Sequence, residues 1–192
     1  DLLKAALFGG MEYYVDDHVW EEIALKNLNK DKEPMYAMRD NPVFERGAVF
    51  YLEPLPGTNN EVKKIASILS SNSWKVSTYT KTHATEDEFK RTSGSDVTVL
   101  HLATHGFYQT SEEIKDSATI TFVREDDNKE EQALSRSGLF MTGASAWFYG
   151  ETIPENVNDG ILTAREISYL DLTNVDMVVL SACETGLGEI TE

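Results

Sequence analysis

The chain has 192 residues, of which 41% are apolar and 26% charged, a composition typical of one soluble globular domain with its own core. Its 33 acidic residues outnumber 17 lysines and arginines, and the net charge of −16 argues against binding to a nucleic-acid backbone or to anionic lipid. One cysteine excludes an internal disulfide, and without a signal peptide or an apolar span of membrane length the sequence predicts a cytoplasmic protein with no membrane partner.

Four apolar runs bounded by turn residues predict the strands of a sheet. In chain order they are Lys4–Val15, Trp74–Tyr79, Val97–Ala103 and Val175–Ala182. The last two are almost continuously apolar, which is typical of parallel strands that are buried on both faces.

Helical patterns lie between these runs. In Asn59–Ser71, apolar residues recur at spacings of three and four, as on one face of a helix. Three pairs of a threonine and a glutamate three residues later predict capping boxes: Thr58 and Glu61, Thr85 and Glu88, Thr163 and Glu166. The alternation of strands and helices predicts an α/β fold with a mostly parallel central sheet flanked by helices.

Two polar stretches interrupt this alternation. Residues 16–47 are predicted to be an insertion with one helix around His18–Leu28. Within residues 109–159, "ATITFV" and "RSGLFMTGA" flank "REDDNKEE", which is predicted to be an acidic turn, so this region predicts a small β-hairpin beside the main sheet. No repeat or low-complexity linker divides the chain, so we expect a single domain over residues 1–192.

A histidine and the only cysteine follow two of the predicted strands. His105 comes after the third strand and Cys183 after the fourth. Functional groups of a parallel sheet gather beyond the carboxyl ends of its strands, so adjacent strands would bring these side chains together. A thiol with an ordinary pKa of about 8.5 needs a base to become a nucleophile at neutral pH, and histidine can serve as that base.

Other readings of these residues are less specific. A lone cysteine after an apolar strand is commonly a small buried hydrophobe, and His101, inside its strand, is predicted to be a core histidine. The spacing of His101 and His105 does not favour zinc, because alternate strand side chains diverge and no glutamate follows the first histidine. "GLGE" lacks a complete phosphate-binding glycine pattern, so neither a metal nor another cofactor is predicted.

The motifs together resemble the CHAT domain, a caspase-like family of cysteine peptidases related to separases and gingipains. The resemblance covers about residues 4–189 and is carried by "VLHLATHG", "VVLSACETGLG", "LPGTNNEV" and "DGILTAREISYLDL". It implies a caspase-like three-layer sandwich with strand order 2-1-3-4 followed by two further strands. It also implies a dyad of His105 and Cys183, with the backbone N–H groups of Gly106 and Cys183 as donors to the oxyanion.

The sequence departs from the caspase pattern in ways that bear on specificity. Leu55 and Pro56 stand where caspases carry the arginine that binds a P1 aspartate, which argues against that preference. Asp159 is a candidate carboxylate for a basic P1 residue, with turn formation as its alternative role, and Arg136 is a candidate contact to the substrate backbone. The chain ends soon after Cys183. We therefore expect the C-terminal portion of the family's domain to be missing here or to lie on a second chain. Proteolytic maturation into two subunits would produce such a second chain.

The resemblance implies a regulated bacterial endopeptidase that cleaves a protein substrate in defence or cell death. A small C-terminal subunit and an upstream helical-repeat sensor are the partners it implies. Two alternatives remain open at this point: an inactive caspase-like module that binds or scaffolds, and a small-molecule transferase or hydrolase that uses the same thiol.

Overall fold

The structure is a computed structural model that describes residues 2–30, 51–109 and 128–182. Its strands are β1 (Lys4–Met11), β2 (Lys75–Lys81), β3 (Val99–Ala103), β4 (Gly106–Tyr108), β5 (Ser137–Phe140), β6 (Ile161–Thr163) and β7 (Met177–Ser181). Its helices are α1 (Asp17–Leu28), α2 (Pro56–Ser71), α3 (Glu86–Lys90), α4 (Lys129–Ser135), α5 (Ser145–Tyr149) and α6 (Ala164–Ser168).

Four of the strands form a parallel sheet in the order β2-β1-β3-β7. All four lie within or overlap the apolar runs that predicted them, and their order is the one that the family resemblance implies. β3 is buried along its whole length, because both faces of the sheet are covered. The prediction of a mostly parallel α/β sheet flanked by helices is therefore confirmed.

The two faces of the sheet support separate apolar clusters. On one face, Leu7 and Val99 pack against Val62 of α2. On the other face, Phe8 and Leu102 belong to a larger cluster that also includes side chains from α3, α5 and the strands β4 to β6. Successive side chains of a strand point to opposite faces of the sheet, so each strand contributes residues to both clusters.

Helix α2 begins earlier than its predicted capping box. Pro56 occupies the first turn, where its missing N–H costs no hydrogen bond, and the residue before it makes no side-chain cap. Thr58 therefore lies inside the helix: its hydroxyl donates to the Leu55 carbonyl (2.7 Å) and accepts from the Gly10 N–H (2.9 Å). The predicted capping box of Thr58 and Glu61 is wrong, and the Glu61 carboxylate makes other contacts, described below.

The other predicted helix starts are present. Thr163 forms the predicted capping box with Glu166 at α6. Thr85 caps α3 by accepting from the Glu88 N–H, but the Glu88 carboxylate pairs with Lys26, Lys30 and Arg91, so only half of that predicted capping box is present. The helix expected around His18–Leu28 is α1, which Asp16 caps. Each of these side chains satisfies an N–H group that the first helical turn leaves without a backbone partner.

A second, antiparallel sheet of order β4-β5-β6 replaces part of the predicted hairpin. β5 lies in the expected second arm, but it pairs with β4 and β6; the first arm, at 118–123, lies outside the described residues. Residues 129–131, predicted as part of a turn, form the start of α4. The Asn128 side chain accepts from two N–H groups there and the Glu131 carboxylate reaches back to the Asn128 N–H, so a capping box overrides the turn propensity of this acidic stretch.

The close approach of α2 to β1 yields a test of the packing. A Cβ on Gly9 would lie 2.6 Å from Val62 Cγ2 and 2.8 Å from the Thr58 carbonyl oxygen, so Gly9→Ala must push the helix away from the strand. We expect a loss of about 1–3 kcal/mol in the free energy of unfolding, measured by urea denaturation.

Gly57→Ala is the matched control, because a Cβ at this position in the first turn of α2 meets nothing within 4 Å. Alanine is the better helix former, so this variant should be neutral or more stable by up to about 1 kcal/mol. Equal effects of the two substitutions would contradict the close packing of α2 on β1.

Candidate active site

His105 lies just beyond the carboxyl end of β3 and is only 8% exposed. Its main chain is fixed from two sides: its N–H donates to the Tyr13 hydroxyl (3.3 Å), and its carbonyl accepts from the Phe140 N–H (2.9 Å). These bonds tie His105 both to the segment after β1 and to the second sheet. The imidazole therefore projects from a backbone position with little freedom to move.

Within the described part of the chain the imidazole makes one hydrogen bond, through Nε2, to the main-chain carbonyl oxygen of Glu53 (2.7 Å). A carbonyl oxygen can only accept, so Nε2 carries the hydrogen and Nδ1 of the neutral ring bears a lone pair. Nδ1 is buried and has no hydrogen-bond partner among the residues that the structure describes. A buried, unpaired basic nitrogen is costly for stability, and such groups are characteristic of sites that perform chemistry.

Tyr13 supports His105 through a short hydrogen-bond relay. The Thr104 hydroxyl donates to the Phe140 carbonyl (2.5 Å), so it accepts from the Tyr13 hydroxyl, which lies 2.8 Å away. The Tyr13 oxygen in turn accepts from the His105 N–H. Burial raises the pKa of Tyr13 above its ordinary value, so the phenol keeps the proton that the relay requires.

The strand that leads to Cys183 lies directly beside β3. β7 pairs with β3 in parallel, with Ala103 opposite Ser181, so His105 and Cys183 each follow a paired residue by two positions. Ala182 Cβ lies 3.6 Å from the point where a Cβ on Gly106 would stand. Cys183 itself lies outside the described residues.

An apolar pocket of about 650 Å³ adjoins this edge of the sheet. Gly106 and Ala182 border it, and none of the described residues that line it is charged. Much of its surface comes from leucine and phenylalanine side chains of β3, β4, β5 and β7: Leu100, Leu102, Phe107, Leu139 and Leu180.

Asp159 is engaged in local structure. Its carboxylate accepts from the Ile161 N–H (2.8 Å) at the start of β6, which is the turn role that the sequence analysis weighed for it. The next residue, Gly160, donates its N–H to the buried carboxylate of Glu86 (2.9 Å). β5 separates β6 from β4, so the described contacts do not bring Asp159 to His105.

The Glu86 carboxylate belongs to a buried ionic cluster that fixes this turn. The ammonium group of Lys90 lies 2.6 Å from Glu86, 3.0 Å from Glu166 and 2.9 Å from the Asn158 side-chain oxygen. Burial alone would lower the pKa of Lys90, but the two carboxylates outweigh it and hold that pKa above its ordinary value. Burial and the Glu166 charge raise the pKa of Glu86 well above its ordinary value. The cluster locks α3 to the turn before β6 and to α6.

Arg136 ends α4, and its main-chain carbonyl accepts from the Gln109 N–H (2.8 Å). This contact lies beyond the Tyr108 end of β4, whereas His105 precedes the Gly106 end. The candidate contact of Arg136 with a substrate backbone thus lies at the far end of this strand. Leu55 is the N-cap residue of α2 and Pro56 its first residue, so both of these positions serve to start the helix.

Sequence reasoning missed three contributors to this edge of the sheet. The Glu53 group is a main-chain carbonyl, which leaves no trace in the residue type. Tyr13 lies near the end of the first apolar run, just after β1, and belongs to no motif. Glu61 was interpreted as a capping residue. Only Glu61, a carboxylate on the inward side of an amphipathic helix beside Val62, offered a signal that could have been followed.

A family model described as the CHAT domain matches residues 19–192 of the chain. The chain belongs to the CHAT domain family. CHAT domains are a caspase-like peptidase family, so the sheet edge that carries His105 in this CHAT domain is the place to seek its chemistry. Searches of the curated proteins and of the solved structures give no match.

None of the helices in the described ranges of this CHAT domain has the length and the apolar content that crossing a membrane requires.

Tyr13→Phe tests the relay behind His105. The change removes a buried hydroxyl and leaves the His105 N–H without its acceptor, so we expect a loss of about 1–3 kcal/mol in the free energy of unfolding. Tyr108→Phe is the control, because the Tyr108 side chain is half exposed. Urea denaturation of both variants measures the difference; no difference between them would contradict the relay.

Proposed function

We propose that this CHAT domain is a cysteine endopeptidase in which His105 is the general base and Cys183 the nucleophile. One observation carries the proposal: Nε2 of His105 is bonded to the Glu53 carbonyl, and the buried Nδ1 is left without a described partner at the edge where β7 leads to Cys183. The family's caspase-like peptidase character supports the same assignment.

The chemistry follows from this tautomer. Nδ1 takes the thiol proton, and the thiolate attacks the carbonyl carbon of the scissile peptide bond. The resulting oxyanion is bound by the backbone N–H groups of Gly106 and Cys183, which the family resemblance assigns, each worth about 3 kcal/mol. The imidazolium then protonates the leaving amine as the C–N bond breaks. Water, deprotonated by Nδ1, hydrolyses the thioester and releases the new carboxyl terminus and the free thiol.

The Glu53 carbonyl has a defined part in this cycle. It holds the ring orientation and stabilises the imidazolium, because Nε2–H becomes a stronger donor when the ring is charged. A main-chain carbonyl cannot ionise, so the dyad works without a third titratable side chain.

The cellular setting is part of the proposal and derives from the resemblance. We infer a regulated bacterial protease that acts on a protein substrate in the cytoplasm, with activation through a sensor region or a partner. Leu55 and Pro56 in place of a basic residue argue against a P1 aspartate, and the described residues that line the apolar pocket beside Gly106 include no charged group that would select one.

The proposal is tested by Cys183→Ala and His105→Ala in the full-length protein, incubated with a defined peptide library and followed by mass spectrometry. We expect no cleavage with the first variant and a loss of about 10²- to 10⁴-fold in rate with the second. His83→Ala is the matched control, because His83 is exposed and follows β2, which β1 separates from β3. Cleavage that survives both site changes would refute the assignment.

Alkylation of the thiol separates an enzyme from an inactive binding module. Cys183 is the only cysteine, so iodoacetamide uptake reports on that thiol alone. If the dyad operates, alkylation at about pH 6.5 is fast in the parent protein and slow in His105→Ala, because the imidazole stabilises the thiolate. Equal, slow alkylation of the parent protein and of His105→Ala, together with no peptide cleavage, would favour the inactive binding module. Turnover of small amides without peptide cleavage would favour a hydrolase of small molecules.

A further inference from the structure

The Glu61 carboxylate touches both strands that carry the proposed dyad. Its Oε1 lies 3.0 Å from Nε2 of His101 on β3, although the angle is not that of a hydrogen bond. Its Oε2 accepts from the Ser181 hydroxyl on β7 (3.2 Å). The His101 side chain is buried, as predicted for a core histidine, whereas the Glu61 side chain is 35% exposed.

The position of Glu61 follows from the packing of α2. Val62, the next residue, is fully buried against Gly9, and the close approach of helix to strand leaves no room for the helix to rotate. The N-terminal half of α2 lies at the carboxyl edge of the sheet, because a helix that joins parallel strands runs opposite to them. The Glu61 side chain therefore reaches the middle of β3 and the end of β7 from one fixed point.

Ser181 occupies a sensitive place on β7. It precedes Cys183 by two residues, and its carbonyl accepts from the N–H of Thr104, the residue before His105 (3.2 Å). β7 is the end strand of the described sheet, and its Met177, Val178 and Leu180 side chains are about half exposed. Because the side chains of β7 are so exposed, the end of this strand needs specific contacts to stay in register. The Glu61–Ser181 hydrogen bond provides one such contact on the face of the sheet that packs against α2.

We propose that Glu61 is a positioning residue for the catalytic thiol: it anchors the end of β7 through Ser181 while it faces the middle of β3 through His101. This inference rests on the proposed function, since it gives Glu61 a role in the geometry of the dyad. In this role Glu61 acts through the strand end that precedes Cys183 and not on the reacting atoms themselves.

The partial exposure of Glu61 raises a competing role, in which the carboxylate binds a basic side chain of the substrate directly. The two roles respond differently to glutamine. A glutamine retains an oxygen that accepts from Ser181 and presents an amide N–H toward His101, so it preserves the positioning contacts. It lacks the negative charge that recognition of lysine or arginine requires.

The test compares Glu61→Ala, Glu61→Gln and Ser181→Ala in the full-length protein, with kcat and KM measured on a peptide that the parent cleaves. We expect Glu61→Ala to lower kcat about 10- to 100-fold while KM changes less than about 2-fold, because misplacement of the thiol impairs the reaction and not binding. Glu61→Gln should restore kcat to within about 3-fold of the parent. Ser181→Ala should lower kcat, and adding it to Glu61→Ala should have little further effect.

Glu22→Ala is the matched control. Glu22 also faces a histidine, His18, at 3.4 Å, but this pair is exposed on α1 and we expect kcat and KM to stay at the parent values. Thermal unfolding of each variant separates loss of fold from loss of activity.

The outcomes are decisive in both directions. A glutamine variant as impaired as the alanine variant, or a rise in KM confined to substrates with lysine or arginine, would overturn the positioning role in favour of direct recognition. Unchanged kcat in Glu61→Ala would overturn it outright. A second measurement, the rate of Cys183 alkylation at a pH where the thiol is fully deprotonated, does not depend on peptidase activity. A lower alkylation rate in Glu61→Ala that recovers in Glu61→Gln supports the positioning role even if no peptide is cleaved. In that case the proposed function alone has failed.

Discussion

The parallel pairing of β3 with β7 brings two distant segments of the chain to one edge of the sheet. Register alone aligns Ala103 with Ser181, so the residues that follow these two positions leave the sheet side by side. Leu100 and Leu102 are fully buried in the larger apolar cluster on one face of β3, and a slip by one residue would replace them there by Val99 and the polar His101. The apolar core thus fixes the alignment on which the chemistry of the strand ends depends, although no core residue takes part in that chemistry.

Two of the three described hydrogen-bond partners of His105 are main-chain groups. Its N–H, its carbonyl and its ring Nε2 are bonded to Tyr13, Phe140 and Glu53, and in the last two cases the partner is a backbone atom. Backbone partners hold their places through the fold and need no specific side chain of their own. This allows the surrounding sequence to vary while the tautomer of the imidazole stays the same, with Nδ1 as the basic nitrogen.

The strands and their faces could be predicted because short apolar runs and their alternation follow directly from burial. The helix starts at Thr85 and Thr163 could be predicted because a cap is a local interaction within a few residues. Thr58 shows where such reasoning stops: a proline two residues earlier began the helix sooner, and the hydroxyl found a partner in Gly10, far away in sequence. The contact of the Glu53 carbonyl could not be predicted for the same reason, since it joins segments that meet only after the sheet has formed. Glu61 stood out as a carboxylate beside the buried face of α2, but its partners on β3 and β7 could not be predicted from that position.

Helix α2 shows how packing and site geometry are served by one amphipathic segment. Val62, Ile65 and Leu69 cover the sheet at helical spacing, and Gly9 lets them approach closely. Because the helix runs opposite to the strands, its apolar residues extend back over the middle of the sheet while its N-terminal turns reach the carboxyl edge. A polar residue that precedes Val62, the first core residue of the helix, therefore lies near the carboxyl edge of the sheet without disturbing the apolar packing. Glu61 occupies that position, so a substitution there can alter the site while the apolar contacts of α2 remain intact.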